Sequence, residues 1–73
     1  MEELLRILKE ANNKIDYDNE KALIDGGLID SLELMEIISE IEDTFDVTIG
    51  MEDIVPENFN SAQAMYDLIQ RLK

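Results

Sequence analysis

Residues 31–45 form the longest amphipathic run of the chain, and any fold has to bury one face of it. Asp30 directly precedes this run and is a good helix N-cap, because its carboxylate can accept hydrogen bonds from the free backbone N–H groups of the first turn. Glu33 stands three residues further on, in a pattern close to a capping box. The sequence therefore predicts a helix that begins at or next to Ser31.

The apolar residues of this helix fall into a core-facing stripe and a separate patch. At about 100° per residue, five of them lie within an arc typical of a buried stripe. These five are Leu34, Ile37, Ile38, Ile41 and Phe45. Leu32 and Met35 fall outside the arc, among polar residues. Those neighbours are Glu36, Ser39, Glu42 and Asp43. We therefore expect Leu32 and Met35 to be exposed beside Ser31.

Two further helices are predicted, one on each side of the central helix. Residues 2–12 carry apolar side chains at helical spacing and end at two asparagines, which favour helix ends. Asn60 or Ser61 can cap a last helix that carries a second apolar stripe as far as Leu72. Phe59 precedes this cap and is expected to fold into the core.

The segments between these helices complete an all-α prediction. Residues 14–30 are a long connection whose scattered apolar residues indicate that it crosses the core. Residues 51–55 predict one short helix that ends before Pro56. No strand signal is present. The chain therefore predicts a small four-helix bundle, with three longer helices and one short one, in a single domain over residues 1–73.

The charge is strongly acidic and unevenly distributed. The formal net charge is −12, and no Lys or Arg occurs between Lys21 and Arg71. Such a surface repels nucleic acid and anionic membranes and suits partners with basic patches. The alternative is a solvated surface that only keeps the protein soluble. The exposed apolar residues beside Ser31 favour partner docking.

Several function classes are excluded or disfavoured by missing residues. The chain has no Cys and no His, which removes thiol nucleophiles, Cys metal sites and the commonest general base. A serine hydrolase would therefore lack a base. The Asp16-x-Asp18-x-Glu20 pattern has Lys21 and Gly27 where a calcium loop needs Gly and Glu, so we expect no EF-hand. The acidic N-terminus is no secretory signal, and no run is long enough to span a membrane, so a cytoplasmic location is predicted.

The sequence from about Lys21 to Ile69 resembles the phosphopantetheine carrier proteins, which include acyl, peptidyl and D-alanyl carriers. The resemblance rests on Asp30-Ser31-Leu32 at the head of an acidic amphipathic helix, and on Glu36, Glu42 and Phe45 at the family's spacings. It implies the same helical bundle, a monomer and no catalytic residue. It also implies that Ser31 carries 4'-phosphopantetheine, which a phosphopantetheinyl transferase moves from coenzyme A.

The resemblance further implies a docking surface and several partner enzymes. The corresponding positions are Asp30, Leu32, Met35, Glu36 and Glu42. Ile49 could belong either to the core or to the rim of this surface. The partners would be the transferase, an acyl- or aminoacyl-loading ligase and downstream transferases with basic docking patches.

The spacing before the serine bears on the cargo. Gly27 is followed by two residues before Asp30, a form more similar to D-alanyl, peptidyl or stand-alone carriers than to the fatty-acid-synthesis type. Phe59-x-Ser61 points the same way, whereas Leu34 stands where carriers often have a small or hydroxyl residue. A second hypothesis is a non-catalytic acidic adaptor that binds a basic partner without a cofactor.

Overall fold

Four α-helices and no strands make up the computed structural model, which describes residues 1–73. The helices are α1 (Glu2–Ala11), α2 (Ser31–Phe45), α3 (Pro56–Phe59) and α4 (Ala62–Leu72). α1 packs against α2 and α4, and α3 packs against α4. This arrangement confirms the predicted all-α bundle with three longer helices, one short helix and a long connection between the first two long helices.

The two predicted helix starts are formed by side-chain caps. Asp30 Oδ1 accepts a hydrogen bond from the Glu33 backbone N–H at 2.8 Å, so α2 begins at Ser31. Ser61 Oγ accepts from the Ala64 backbone N–H at 3.0 Å, which identifies Ser61 rather than Asn60 as the cap of α4. Each cap satisfies a donor that the first turn of a helix leaves free.

The position of the short helix differs from the prediction. Met51–Asp53 form only one turn of 3-10 helix, and the short α-helix α3 begins at Pro56 instead of ending before it. Proline fits the first position of a helix because its fixed φ is already helical and its missing N–H has no partner to lose there. Phe59 therefore lies at the end of α3 and is fully buried.

The core contains fifteen buried hydrophobic residues and no buried polar or charged residue. The long helices supply most of it, and the connection between α1 and α2 adds Tyr17, Leu23 and Ile29. The prediction that this connection crosses the core is therefore confirmed. Leu28 differs from its neighbours in the connection, because 40% of it is exposed.

The start of the connection is held against the end of α1 by Tyr17. The phenol oxygen lies 2.9 Å from the Leu8 carbonyl oxygen and 2.7 Å from the Asn12 carbonyl oxygen. Burial raises the pKa of Tyr17, and the negative charge of Glu33 raises it further. The phenol therefore remains protonated, and its one hydrogen is shared between the two carbonyls, of which that of Leu8 also accepts from the Asn12 backbone N–H at 2.9 Å.

The end of the connection is a turn that needs both of its glycines. A Cβ on Gly26 would lie 2.6 Å from the Ala22 carbonyl oxygen, closer than any side chain tolerates. Gly27 has a φ of 72°, in the left-handed region that glycine adopts without steric cost. This turn leads through Ile29 and Asp30 into α2. None of the helices has the length and apolar character needed to cross a bilayer.

Candidate functional site

Ser31 is the first residue of α2, and its side chain is exposed. The backbone N–H groups of Ser31 and Leu32 have no acceptor within the chain, because the side chain of the Asp30 cap bonds to Glu33 and its carbonyl to Leu34. Free N–H groups and the helix dipole make this end of α2 favourable for an anion. The hydroxyl thus lies where an attached phosphate would be stabilised.

The surroundings of Ser31 supply no machinery to activate its hydroxyl. The chain has no His, and the adjacent carboxylate of Asp30 is used as the helix cap. Ser31 lines neither the groove of about 360 Å³ between α1 and α2 nor the open depression of about 430 Å³ along α1. An exposed serine with neither a base nor a pocket can be modified by another enzyme, but it is poorly suited to attack a substrate.

The apolar patch predicted beside Ser31 is exposed. Leu32 is 71% exposed and Met35 is 52% exposed, which confirms the orientation inferred from the helical spacing. Leu28 at 40% and Met51 at 87% are also exposed, although Leu28 is one of the apolar residues of the connection predicted to cross the core. Neither lies in a regular α-helix, so no periodic pattern indicated which way their side chains point.

Glu42 and Ile49 differ from the other predicted docking residues because each has a structural role. Glu42 is half-buried, and its Oε2 accepts a hydrogen bond from the Ile49 backbone N–H at 2.9 Å. Ile49 is only 8% exposed and belongs to the core. Of the two alternatives for Ile49, its burial therefore favours the core. Asp30 and Glu36 are exposed.

The acidic residues of α2 have no cationic partner within the chain. The one ion pair joins Arg6 to Glu3 on α1, at 4.0 Å and well exposed to solvent. No group of three or more acidic residues is placed to hold a metal ion. The negative charges of α2 are therefore available to a basic partner, and they repel one another in its absence.

Because this repulsion is unscreened at low ionic strength, we expect added salt to raise the Tm. With a net charge of −12 and one exposed ion pair, screening removes more repulsion than attraction. We expect a rise of several degrees, on the order of 4–8 °C per 1 kcal/mol regained, between low salt and about 0.15 M NaCl. Circular dichroism melts in NaCl measure this shift. An unchanged or lower Tm would contradict it.

Comparison with known proteins agrees with this geometry. The chain matches the family model described as phosphopantetheine attachment site over residues 1–69. It is 34% identical over 56 residues to the probable acyl carrier protein PigG of a Serratia species, a match that covers 77% of this chain and 64% of that protein. The match thus spans just under two thirds of the length of that relative.

Two further relatives are matched over most of their length. The D-alanyl carrier protein of Streptococcus mutans is 29% identical over 76 residues, which covers 97% of this chain and 91% of that protein. Aminoacyl carrier protein 2 of Bradyrhizobium diazoefficiens is 33% identical over 63 residues, or 86% of this chain and 70% of that protein. No solved structure gives a significant match.

Proposed function

The chain belongs to the phosphopantetheine carrier protein family, and we propose that Ser31 is the residue that receives the arm. A member of this family holds acyl or aminoacyl groups on covalently attached 4'-phosphopantetheine and presents them to partner enzymes. The observation that carries the assignment to Ser31 is an exposed serine hydroxyl at the start of the long helix α2, beside two backbone N–H groups without acceptors.

The other two serines fit the attachment less well. Ser39 lies in the interior of α2, where the backbone N–H groups are used by the helix. Ser61 is half-buried, and its hydroxyl oxygen already serves as the cap of α4. Only Ser31 combines an exposed hydroxyl with free donors for a phosphate, an interaction worth about 0.3–1 kcal/mol at an exposed helix end.

In this proposal the chain positions the Ser31 hydroxyl, and the transferase supplies the groups that activate it. Ser31 Oγ would form the new bond to phosphorus while the pyrophosphate bond of coenzyme A breaks and the adenosine bisphosphate leaves. The hydroxyl proton would pass to a base of the transferase, because this chain offers none at the site. When attached, the arm supplies the thiol that this Cys-free chain lacks, and cargo is carried on it as a thioester.

An intact-mass measurement tests this function directly. The apo protein is incubated with a phosphopantetheinyl transferase of broad specificity, MgCl2 and coenzyme A. We expect a mass gain equal to one phosphopantetheine group, and no gain when coenzyme A is omitted. A mass that stays unchanged with a transferase that modifies a known carrier in the same tube would refute the proposal.

The exposed face of α2 is the surface on which we expect the transferase and other partners to dock. Leu32 and Met35 supply apolar contact area, and Asp30 and Glu36 supply negative charge around it. Complementary charge increases the rate of encounter and fixes the orientation of partners. We propose basic patches on the partner enzymes for this reason. Glu42 contributes charge to the same face, but it also holds the backbone of the loop that follows α2.

Charge reversal at Glu36 is the cleanest test of this surface. Glu36 is exposed and makes no hydrogen bond or ion pair, so Glu36→Lys should leave the fold intact. Loss of an attraction and gain of a repulsion, each up to about 1 kcal/mol at an exposed site, should raise the KM of the transferase about tenfold at low salt.

Asp67→Lys on α4 is the control, because it makes the same charge change at another exposed position, where the one bond lost is an exposed hydrogen bond from Gln63 Nε2 at 2.9 Å. We expect its KM to stay within about twofold of the wild-type value. Equal effects of the two substitutions would show that only the net charge matters and would contradict a docking role for Glu36. Glu42→Lys is less informative, because it also removes the hydrogen bond to Ile49.

The cargo class that we propose is aminoacyl. Two of the relatives are named as D-alanyl and aminoacyl carrier proteins, and the two residues between Gly27 and Asp30 match the form of such carriers. Incubation of the modified protein with ATP and either a D-alanine-activating ligase or an acyl ligase distinguishes the two classes by mass. Loading with a fatty acyl group alone would overturn the aminoacyl assignment.

A second candidate function is an acidic adaptor that binds a basic partner without a cofactor. The acidic residues of α2, which have no ion pair within the chain, would also suit this function. Both functions predict weaker partner binding for Glu36→Lys. Only the carrier function requires Ser31.

Carrier proteins are generally non-catalytic, and we propose that this chain is likewise not an enzyme and acts as one monomeric domain over residues 1–73.

A further inference from the structure

Asn60 connects the start of α4 with the turn that precedes α2. Its side-chain Oδ1 accepts hydrogen bonds from the backbone N–H groups of Ile24 and Asp25, both at 3.0 Å. Its Nδ2 donates to Asp25 Oδ2 at 3.0 Å, and its carbonyl oxygen accepts from the Leu23 N–H at 2.9 Å. We call these four hydrogen bonds the Asn60 cluster. They join residues that lie about half the chain apart in sequence.

The segment held by the Asn60 cluster in turn holds the residues next to Ser31. The Leu23 carbonyl oxygen accepts from the N–H groups of Leu28 at 3.0 Å and Ile29 at 3.1 Å. Leu23 and Ile29 are both buried, so the two ends of the turn are anchored in the core. Asp30, the cap of α2, follows directly. A continuous series of hydrogen bonds therefore runs from Asn60 to the residue before the cap.

We propose that Asn60 is a positioning residue for the modification of Ser31. This inference rests on the proposed function, in which Ser31 receives the arm. Asn60 fixes the turn at residues 23–29 and so sets where the chain enters α2. The transferase has to recognise a serine at this entrance, and a mobile turn would present it in many orientations. Productive binding then loses the benefit of a preorganised site.

The geometry of the cluster explains why an asparagine is suited to this position. The side chain accepts two backbone hydrogen bonds with its oxygen and donates one to a carboxylate with its nitrogen, and an amide provides both groups at a fixed separation. Asparagine is short enough to do so from the residue between α3 and the cap of α4. Asp25 is exposed and has no cationic partner, so the contact with Asn60 Nδ2 is its one side-chain contact that offsets its charge.

A purely structural role is the competing explanation, and Tyr17 provides the matched control. Tyr17 anchors the other end of the same connection through its phenol, whose hydrogen-bond partners, the carbonyls of Leu8 and Asn12, lie outside residues 23–29. Tyr17→Phe removes those hydrogen bonds and destabilises the fold, but it leaves the Asn60 cluster intact. A general loss of stability would therefore affect both variants, whereas loss of positioning would affect only Asn60→Ala.

The first measurement is the rate of phosphopantetheine transfer from coenzyme A by intact mass, at a temperature where circular dichroism shows all variants folded. Asn60→Ala removes three side-chain hydrogen bonds of roughly 1 kcal/mol each. Because only part of this free energy serves to order the turn, we expect kcat/KM to fall about tenfold. Tyr17→Phe should stay within about twofold of wild type. Equal rates for Asn60→Ala and wild type would overturn the proposal.

A second measurement does not depend on any modification of Ser31. Hydrogen exchange of the Leu28 and Ile29 amides reports whether the turn has loosened, and it should increase in Asn60→Ala but not in Tyr17→Phe. Unchanged exchange at these two amides would overturn the proposal even if transfer were slower. If wild type were not modified at all, the proposed function would fail, while the exchange result would still show whether Asn60 orders the turn.

A swap of the two polar partners tests the specific hydrogen bonds. In Asp25→Asn with Asn60→Asp, the carboxylate at 60 can accept both backbone hydrogen bonds, and the amide at 25 can donate back to it. Asn60→Asp alone places two carboxylates together and serves as the partner variant if Asn60→Ala does not fold. We expect the single variant to be slow and the double variant to recover at least half of the wild-type rate. No recovery in a folded double variant would contradict the assigned hydrogen bonds.

Discussion

Ser31→Ala is expected to abolish attachment of phosphopantetheine and, with it, all thioester loading of the protein. The side chain of Ser31 makes no hydrogen bond within the chain, and alanine is well tolerated in the first turn of a helix already capped by Asp30. The Tm should therefore stay close to that of wild type, with a free-energy change of no more than about 0.5 kcal/mol. Loss of loading would then be a chemical effect and not an effect of unfolding.

Ser39→Ala is the matched control, because it removes an exposed hydroxyl from the same helix. We expect it to be modified at the wild-type rate. Ser61→Ala should also be modified, although loss of the α4 cap should cost about 0.5–2 kcal/mol of stability. Modification of Ser31→Ala to the wild-type extent would place the attachment elsewhere.

The largest expected loss of stability comes from Phe59→Ala. Phe59 is fully buried, and it is the largest of the fully buried side chains. Truncation of such a residue typically costs about 3–5 kcal/mol, which should lower the Tm by roughly 12–40 °C in a domain of this size. A domain of this length has only several kcal/mol of stability, so much of the population should be unfolded near the growth temperature of most organisms.

Met51→Ala is the control for this substitution, because Met51 is 87% exposed and loses almost no contacts on truncation. We expect its free energy of unfolding to stay within about 0.5 kcal/mol of wild type. Urea denaturation followed by circular dichroism measures both variants. If Phe59→Ala lost less than about 1 kcal/mol, the side chain would not be the core element that its complete burial indicates.

The central helix was predictable because its signals are local. Asp30 and Glu33 mark its start within three residues, and the spacing of its apolar residues separates the buried stripe from exposed Leu32 and Met35. These features depend on helix geometry and not on the rest of the fold. The exposed hydroxyl of Ser31 at the helix start could be predicted from the same few residues.

The remaining features depend on contacts that sequence spacing does not reveal. Pro56 fits equally well after the end of one helix or at the start of the next, and the structure places it at the start of α3. From its spacing, Glu42 is predicted to be an ordinary surface acid. In the structure it also accepts a hydrogen bond from the Ile49 backbone N–H in the loop after α2. The sequence predicts only a possible capping role for Asn60, because the partners of its side chain are 35 and 36 residues away.

Site mapping on the wild-type protein tests the central claim most directly. After treatment with transferase, MgCl2 and coenzyme A, the protein is digested and the modified peptide is sequenced by tandem mass spectrometry. We predict a single phosphodiester on Ser31 and unmodified hydroxyls at Ser39 and Ser61. An unmodified Ser31 peptide, or an arm attached to any other residue, would contradict the proposal that this helix start anchors the cargo.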